Sequence, residues 1–302
     1  MQTRGAHAQA PQRGVVLTMS RSFLFVPGDS QRKFDSAVAS ASDALILDLE
    51  DSVALSQKDM ARTLVQQLLP RIPSHQQGWV RVNALDTGLL LQDLVAVVPA
   101  QPFGILLPKC EGRESLRRVA DYLDALELQA GVPVGQTQIL VIATETGRAI
   151  FELGSYAGVT PRLWGISWGG EDLAAAVGSL SNRVDGRYTE PYRMARSLCL
   201  FAAAAAGVRP VDTVCVELSA PETLVNESRE AFRDGFVGKL AIHPRQIVPI
   251  NEAFQANESQ LNWARRVLAA FAESPNASAF NLDGQMIDQP HLRLARRLCG
   301  EG

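Results

Sequence analysis

Three acidic residues fall within four positions at Asp48-Leu49-Glu50-Asp51, and Arg81, Lys109, Glu145 and Asp172 follow further along, each at or just beyond the end of a short apolar run. Carboxylates drawn together in a poorly hydrated place repel one another and drift toward their neutral forms unless something positive joins them. A divalent cation is the economical solution. The donors in this set are oxygens, with no His or Cys cluster among them, which favours a hard ion such as Mg²⁺ over zinc. Magnesium commonly takes one or two protein carboxylates and leaves its other positions to water and substrate. Arg81 suits a planar two-point grip on a carboxylate that lysine does not reproduce. Taken singly, each group has a plainer reading: a solvated cluster at a helix start, a salt-bridge partner, a loop ending in a cap. Jointly, at the ends of successive apolar runs, they describe a site.

The elements that would position these groups show as an alternation. Eight apolar runs bounded by turn residues read as strands: Phe23–Val26, Ala44–Leu49, Trp79–Val82, Gly104–Leu107, Ile139–Ala143, Leu163–Ser167, Thr213–Val216 and Leu240–Ile242. Helical periodicity follows them. Phe34, Ala37, Val38 and Ala41 recur after a Ser30 cap, and Met60, Leu64 and Leu68 do so after Ser56. Leu116, Val119, Ala120 and Leu123 repeat the spacing, as do Leu224, Ser228, Ala231 and Phe232. Strands apolar on both faces belong in a parallel sheet covered by helices, and eight such units close a barrel. The expected fold is therefore an α/β TIM (β/α)8 barrel with a C-terminal helical extension. The alternative, a doubly wound open sheet, calls for a glycine-rich loop after the first strand, where only the turn Pro27-Gly28-Asp29 stands. In a barrel the carboxyl ends of the strands form the rim that carries the site, and the charged residues fall there.

The chain of 302 residues shows no shift of composition that would mark a linker. We expect a flexible tail over 1–19, a barrel over 20–256 and a helical extension or lid over 257–302. The extension reads as a helix from Ser259 to Phe271, a polar loop and an amphipathic segment from His291 to Leu298, after a helix from Gln246 to Phe254 that ends the barrel. An apolar fraction of 46% and a charged fraction of 20% supply a sizeable core. Net charge is −3 with scattered basic residues, which disfavours nucleic acid and anionic membranes and leaves a small molecule as the expected partner. The longest apolar stretch, Leu198 to Val208, is too short to span a bilayer. Cys110, Cys199, Cys215 and Cys299 lie far apart and read as free thiols of a cytoplasmic protein. Residues 1–19 have no sustained apolar core, so a secretory signal is not expected, and Met19 is an alternative start. His243, before Pro244, reads as structural, and Cys110, without a His partner, as a buried thiol.

The ordered set Arg21-Ser22-Phe23-Leu24-Phe25-Val26-Pro27-Gly28, Asp48-Leu49-Glu50-Asp51-Ser52-Val53 and Val80-Arg81-Val82-Asn83 resembles the citrate lyase β-subunit family of the HpcH/HpaI aldolase superfamily. Leu107-Pro108-Lys109, Glu145-Thr146, Gly170-Glu171-Asp172-Leu173 and Gly235-Phe236-Val237-Gly238-Lys239-Leu240-Ala241-Ile242-His243-Pro244 continue the likeness, which covers residues 20 to 299. The resemblance implies a TIM barrel, a Mg²⁺ held by Glu145 and Asp172, and coenzyme A bound over the strand ends. It implies further that Arg81 grips the carboxylate of the acid partner, and that Asp288 in Met286-Ile287-Asp288-Gln289-Pro290 is an acid/base group, in some relatives delivered from an adjacent subunit. A homotrimer or a dimer of trimers is the implied assembly. Glu50 and Asp51 would orient metal-bound water, and Arg21, Lys33 and Lys109 would help Arg81 bind substrate.

The implied activity is Mg²⁺-dependent cleavage or formation of a carbon–carbon bond in a 3-hydroxyacyl-CoA thioester such as citryl-CoA or malyl-CoA, with an acyl-CoA and a 2-oxo acid as small-molecule partners. Three alternatives stand beside it: a citrate lyase β subunit acting on an acyl-carrier protein thioester, a 2-oxo-acid aldolase, and a catalytically silent subunit. Two departures bear on substrate choice. Glu145-Thr146 continues with Gly147-Arg148-Ala149 where similar proteins have Ala-Arg-Gly, and Val216-Glu217-Leu218-Ser219 lacks an acidic pattern common after the seventh strand.

Overall fold

The computed structural model describes residues 20–273 and 278–300; the expected tail over 1–19 lies outside the described residues. Among the described residues there are twelve strands: β1 (Ser22–Pro27), β2 (Ala44–Asp48), β3 (Gln77–Arg81), β4 (Gly104–Leu107), β5 (Gln138–Ile142), β6 (Leu163–Ser167), β7 (Arg183–Val184), β8 (Arg187–Tyr188), β9 (Arg209–Asp212), β10 (Gly238–Ala241), β11 (Ala279–Leu282) and β12 (Gln285–Asp288). Eight of them close a barrel in the order β1-β10-β9-β6-β5-β4-β3-β2, with every neighbouring pair parallel. The helices are α1 (Gln31–Val38), α2 (Lys58–Leu68), α3 (Leu90–Val97), α4 (Arg113–Ala130), α5 (Gly147–Glu152), α6 (Gly170–Val177), α7 (Glu190–Ala206), α8 (Pro221–Asp234), α9 (Ile247–Ala253), α10 (Glu258–Glu273) and α11 (Gln289–Leu298). None is long and apolar enough to cross a membrane.

Alternation along each strand builds two packing layers, because successive side chains leave opposite faces. One set, including Phe23, Ile46, Trp79, Leu106, Leu140, Trp164 and Leu240, forms one buried cluster. Trp79 and Trp164 meet edge to face with centroids 5.2 Å apart, and Phe23 packs on Trp164 at 5.7 Å. The indole of Trp79 explains Gly104 on the next strand, since a Cβ there would stand 2.4 Å from the ring. The other set, including Leu24, Leu45, Leu47, Val80, Ile105 and Val141, packs in a second cluster with helical residues such as Phe34, Val65, Leu94 and Val119.

Four local expectations are corrected. The seventh barrel strand is β9, four residues earlier than the run Thr213–Val216, because Gly165 to Ser167 pair with Arg209 to Val211. Thr213 and Cys215 are buried beyond the ladder, which is why that run reads as a strand. Ser30 does cap α1, but α2 has no side-chain cap and buries Ala61, Val65 and Leu68, leaving Met60 exposed. The expected polar loop before α11 is the hairpin β11–β12, turned at Asp283-Gly284 with φ of 53° and 81°. Two consecutive positive φ values are the requirement of the tight turn that Asp-Gly favours.

Residues Ser20–Ala256 form one compact unit, and residues from Asn257 on belong to a second. The second unit has its own small core of Ala264, Val267, Phe271, Ile287, Leu292 and Ala295.

Candidate active site

Asp48 ends β2 and Arg81 ends β3, in register with each other. The carboxylate accepts from Arg81 Nε and Nη2 at 2.7 Å each, and from the backbone N–H groups of Glu50 at 2.9 Å and Ser52 at 3.1 Å. Burial alone would raise the Asp48 pKa, but the Arg81 hydrogen bonds and charge outweigh it and hold the carboxyl below its usual range. Burial likewise opposes the Arg81 charge, and Asp48 more than compensates, so the guanidinium is charged at any ordinary pH. Its third nitrogen, Nη1, lies 3.0 Å from Glu50 Oε2, and the group sits 4.8 Å over the Phe25 ring. Burial lifts the Glu50 carboxyl against the pull of Arg81 and Lys109.

Lys109 links this corner to the next two strands. It is a non-glycine residue at φ 49°, a conformation that costs energy and that clusters at functional sites. That turn sends the backbone N–H to Glu145 Oε2 at 2.5 Å and the ammonium to Glu50 Oε1 at 2.6 Å, with Asp172 Oδ1 at 3.4 Å and Asp51 at 4.0 Å. Burial pulls the Lys109 pKa down, but the carboxylates around it win and the net shift is upward.

Glu145 stands three residues past β5 and is almost fully buried, while Asp172 is half-buried in the first turn of α6. Gly169 comes against Glu145 so closely that a Cβ would lie 2.7 Å from Cγ. Burial first, and then the charge of Asp172, push the Glu145 carboxyl up to about 8. A carboxylate so penalised, with a second one on the neighbouring strand's loop, fits a bound cation. Among the described residues no three His, Cys, Asp or Glu side chains gather as a metal cluster. Glu145 and Asp172 could hold a Mg²⁺, an ion that commonly takes one or two protein carboxylates and leaves its other positions to water and substrate.

The remaining expected residues divide. Asp51 is exposed beside Arg81 and Lys109, 3.9 Å from the former. Lys33 lies exposed in the first turn of α1, which follows the carboxyl end of β1. Arg21 does not fit substrate binding. It precedes β1 at the opposite end of the barrel, and its Nε and Nη2 bond the two carboxylate oxygens of Asp43 at 3.0 and 3.1 Å. Asp288 lies in the second unit as the cap of α11, its Oδ1 2.6 Å from His291 Nδ1. His243 caps the turn Pro244–Gln246 and accepts from Arg245 N–H. Burial pushes the Cys110 thiol up to about 12, which makes it inert as a nucleophile.

Sequence reasoning missed Lys58, Arg62 and Asp93, which are buried on α2 and α3. Their signal was available, because Lys58, Ala61, Arg62 and Val65 share one helical face, and charges on an apolar face require partners.

A parallel eight-stranded barrel with carboxylates, a lysine and an arginine gathered past the strand ends is the architecture of a TIM-barrel enzyme. Residues 21–244 match the family model HpcH/HpaI aldolase/citrate lyase, and the chain belongs to that family of carbon–carbon lyases. It is 31% identical over 285 residues to the citrate lyase subunit beta of Leuconostoc mesenteroides subsp. cremoris, covering 93% of this chain and 92% of that protein. Identity to the mitochondrial citramalyl-CoA lyase of Mus musculus is 31% over 291 residues, covering 92% and 84%. Among solved structures, protein CitE from Mycobacterium tuberculosis in complex with magnesium, acetoacetate and coenzyme A superposes with a TM-score of 0.77 at 33% identity, covering 95% of this chain and 99% of that one.

Proposed function

We propose that this chain is a Mg²⁺-dependent lyase that breaks, or in reverse makes, the bond between C2 and C3 of a 3-hydroxyacyl-CoA thioester such as citryl-CoA or malyl-CoA. The observation that carries the reading is Glu145, a buried rim carboxyl pushed to about 8 by burial and by Asp172, and tied through Lys109 to the corner that holds Arg81. The names of the relatives support it, since one is a citramalyl-CoA lyase and one solved neighbour holds magnesium and coenzyme A.

A Mg²⁺ held by Glu145 and Asp172 would supply Lewis acidity toward oxygens of the acyl group. Arg81, fixed by Asp48 along its Nε–Nη2 edge, offers its remaining N–H groups to the substrate's carboxylate and so orients the bond to be broken. As the hydroxyl gives its proton to solvent water and becomes a carbonyl, the C2–C3 electron pair passes to C2 as a thioester enolate. A proton donor must then quench C2, and Asp288 is our candidate, supplied in a homotrimer by an adjacent subunit. In the condensing direction the same carboxylate removes the proton from the acetyl methyl. Glu50 and Asp51 would orient water on a bound Mg²⁺, and exposed Lys33 would meet the phosphates of the coenzyme.

The test is to incubate purified protein with MgCl₂ and, separately, citryl-, malyl-, methylmalyl- and citramalyl-CoA, following free acetyl- or propionyl-CoA by chromatography. Cleavage of one thioester that stops in EDTA is expected. Turnover of free 2-oxo-acid aldols with none of the thioesters would overturn the reading. Light scattering on the same sample measures the assembly.

A further inference from the structure

Leu49 and Glu50 follow β2 in a stretch that is neither strand nor helix, so their carbonyls lack a ladder to join. Both accept from the ammonium of Lys58, at 2.5 and 2.7 Å, and the Glu50 carbonyl takes the Val53 backbone N–H at 3.1 Å as well. Buried carbonyls need donors, yet a neutral amide would serve at much smaller desolvation cost than a lysine only 8% exposed. Burial draws the Lys58 pKa below the usual lysine value, while Asp48, Asp93, Glu50 and Asp51 work in the opposite sense. The charge is thus placed where the acidic rim can sustain it.

Lys58 also opens a longer connection. It begins α2, and one turn on Arg62 donates from Nε to Asp93 Oδ1 on α3 at 2.7 Å. Asp93 Oδ2 takes both the backbone N–H and the side-chain amide of Asn83 at 2.7 Å each, and Asn83 Nδ2 reaches Leu49 O at 3.0 Å. All four residues are more than nine-tenths buried. They tie the loop after β2, which bears Glu50, to the loop after β3, which follows Arg81.

We infer that Lys58 is a positioning residue of the site. By holding the main chain of Leu49 and Glu50 from behind, it sets where the Glu50 carboxylate stands between Arg81 and Lys109. The inference rests on the metal reading above, and its readout is binding of Mg²⁺ itself.

The experiment is calorimetric titration of MgCl₂ into the full chain, for wild type, Lys58→Met, Lys58→Gln, Glu50→Gln and the double variant Lys58→Met/Glu50→Gln. Loss of a group that orients metal-bound water weakens metal binding on the order of 10-fold or more, so Glu50→Gln and Lys58→Met should each show about that loss. The double variant should be no weaker than Glu50→Gln alone, because a residue acting through Glu50 then has nothing left to position. Lys58→Gln, which keeps one amide donor, serves if the methionine variant does not fold, and should fall between wild type and Glu50→Gln. Wild-type affinity in the Lys58 variants, or losses that add in full, overturn the inference alone. Wild-type affinity in Glu50→Gln removes the group through which Lys58 acts and overturns it as well. A wild-type chain that takes up no Mg²⁺ overturns the metal reading together with the inference.

Discussion

Asp48 and Arg81 face each other at the last register step between β2 and β3, and two bonds of 2.7 Å fix one whole edge of the guanidinium. A buried ion pair that loses one partner leaves the other uncompensated, at a cost of about 3 kcal/mol or more. Asp48→Asn should therefore unfold in less urea at pH 7. Because the folded carboxyl titrates below its unfolded value near 3.8, its contribution is present above that pH and fades as pH falls through the lower folded value. The gap between wild type and variant should begin to narrow below about pH 4. An equal gap at pH 7 and pH 3 would show that the charge of Asp48 is not what matters.

Glu145 behaves in the opposite sense. Its folded carboxyl is pushed from 4.5 to about 8, so stability is full below the unfolded value and is lost as pH rises from there through 8. In EDTA, Glu145→Gln should be more stable than wild type at pH 8.5, by roughly 5 kcal/mol at most, and no more stable at about pH 4. Adding MgCl₂ should raise the melting temperature of wild type alone. A variant that still gains stability from Mg²⁺ would remove Glu145 from the metal site.

With one edge of Arg81 given to Asp48 and Nη1 at Glu50, few donors remain for a substrate carboxylate, and a lysine cannot divide itself in this way. Arg81→Lys should lose on the order of 2–5 kcal/mol in kcat/KM on whichever thioester wild type cleaves. Kinetics equal to wild type would mean that the substrate's carboxylate is held elsewhere.

Gly169 is a steric neighbour of Glu145, with no room for a methyl group unless Glu145 Cγ moves. Gly169→Ala should weaken Mg²⁺ on the order of 10-fold by calorimetry, as displacement of a metal ligand would. Overpacking of this kind costs about 1–3 kcal/mol of stability, which thermal melts would register. Unchanged metal affinity alongside the stability loss would place the ligand set away from Glu145.

Asp288 caps α11 and shares a close contact with His291, so a purely structural role is the reading to beat. General acid/base groups contribute about 10²–10⁴ in rate. Asp288→Asn should cost at least the lower figure in kcat while leaving KM for the thioester nearly unchanged. Mixing Asp288→Asn protomers with Glu145→Gln protomers should restore activity if the aspartate crosses between subunits. Proven subunit exchange without recovery would rule out delivery in trans.

Most of the barrel was legible because strands buried on both faces are written as uninterrupted apolar runs, as in Ala44 to Leu47 or Gly104 to Leu107. The seventh strand escaped because Arg209 and Pro210 open it, and neither looks like sheet, while Thr213 and Cys215 just beyond it are buried without pairing. Within the site, residue types and strand ends located Glu50, Arg81, Lys109, Glu145 and Asp172, but pairing did not follow from them. A sequence names charges and leaves their partners open, so Asp48 as the anchor of Arg81 and Arg21 as a partner of Asp43 emerge only when strand register is known. Lys58 and Asp93 were overlooked for a related reason: a charged residue on a helix is ordinarily assigned to solvent.

The Arg21 contact has a meaning in time. Arg21 Nη1 reaches the carbonyl of Asn251, 230 residues later, and Asn251 in turn bonds the carbonyl of Ala41. Chains grow at roughly 5–20 residues per second, so β1 leaves the ribosome about 10–50 s before the segment that seals it. During that interval its free edge, with Phe23 and Leu24 on either face, is open to mispairing with any other nascent strand. β10 closes that edge and the last helix of the barrel fastens the seam, so truncations that end before β10 should aggregate far more than truncations that run through Asn251.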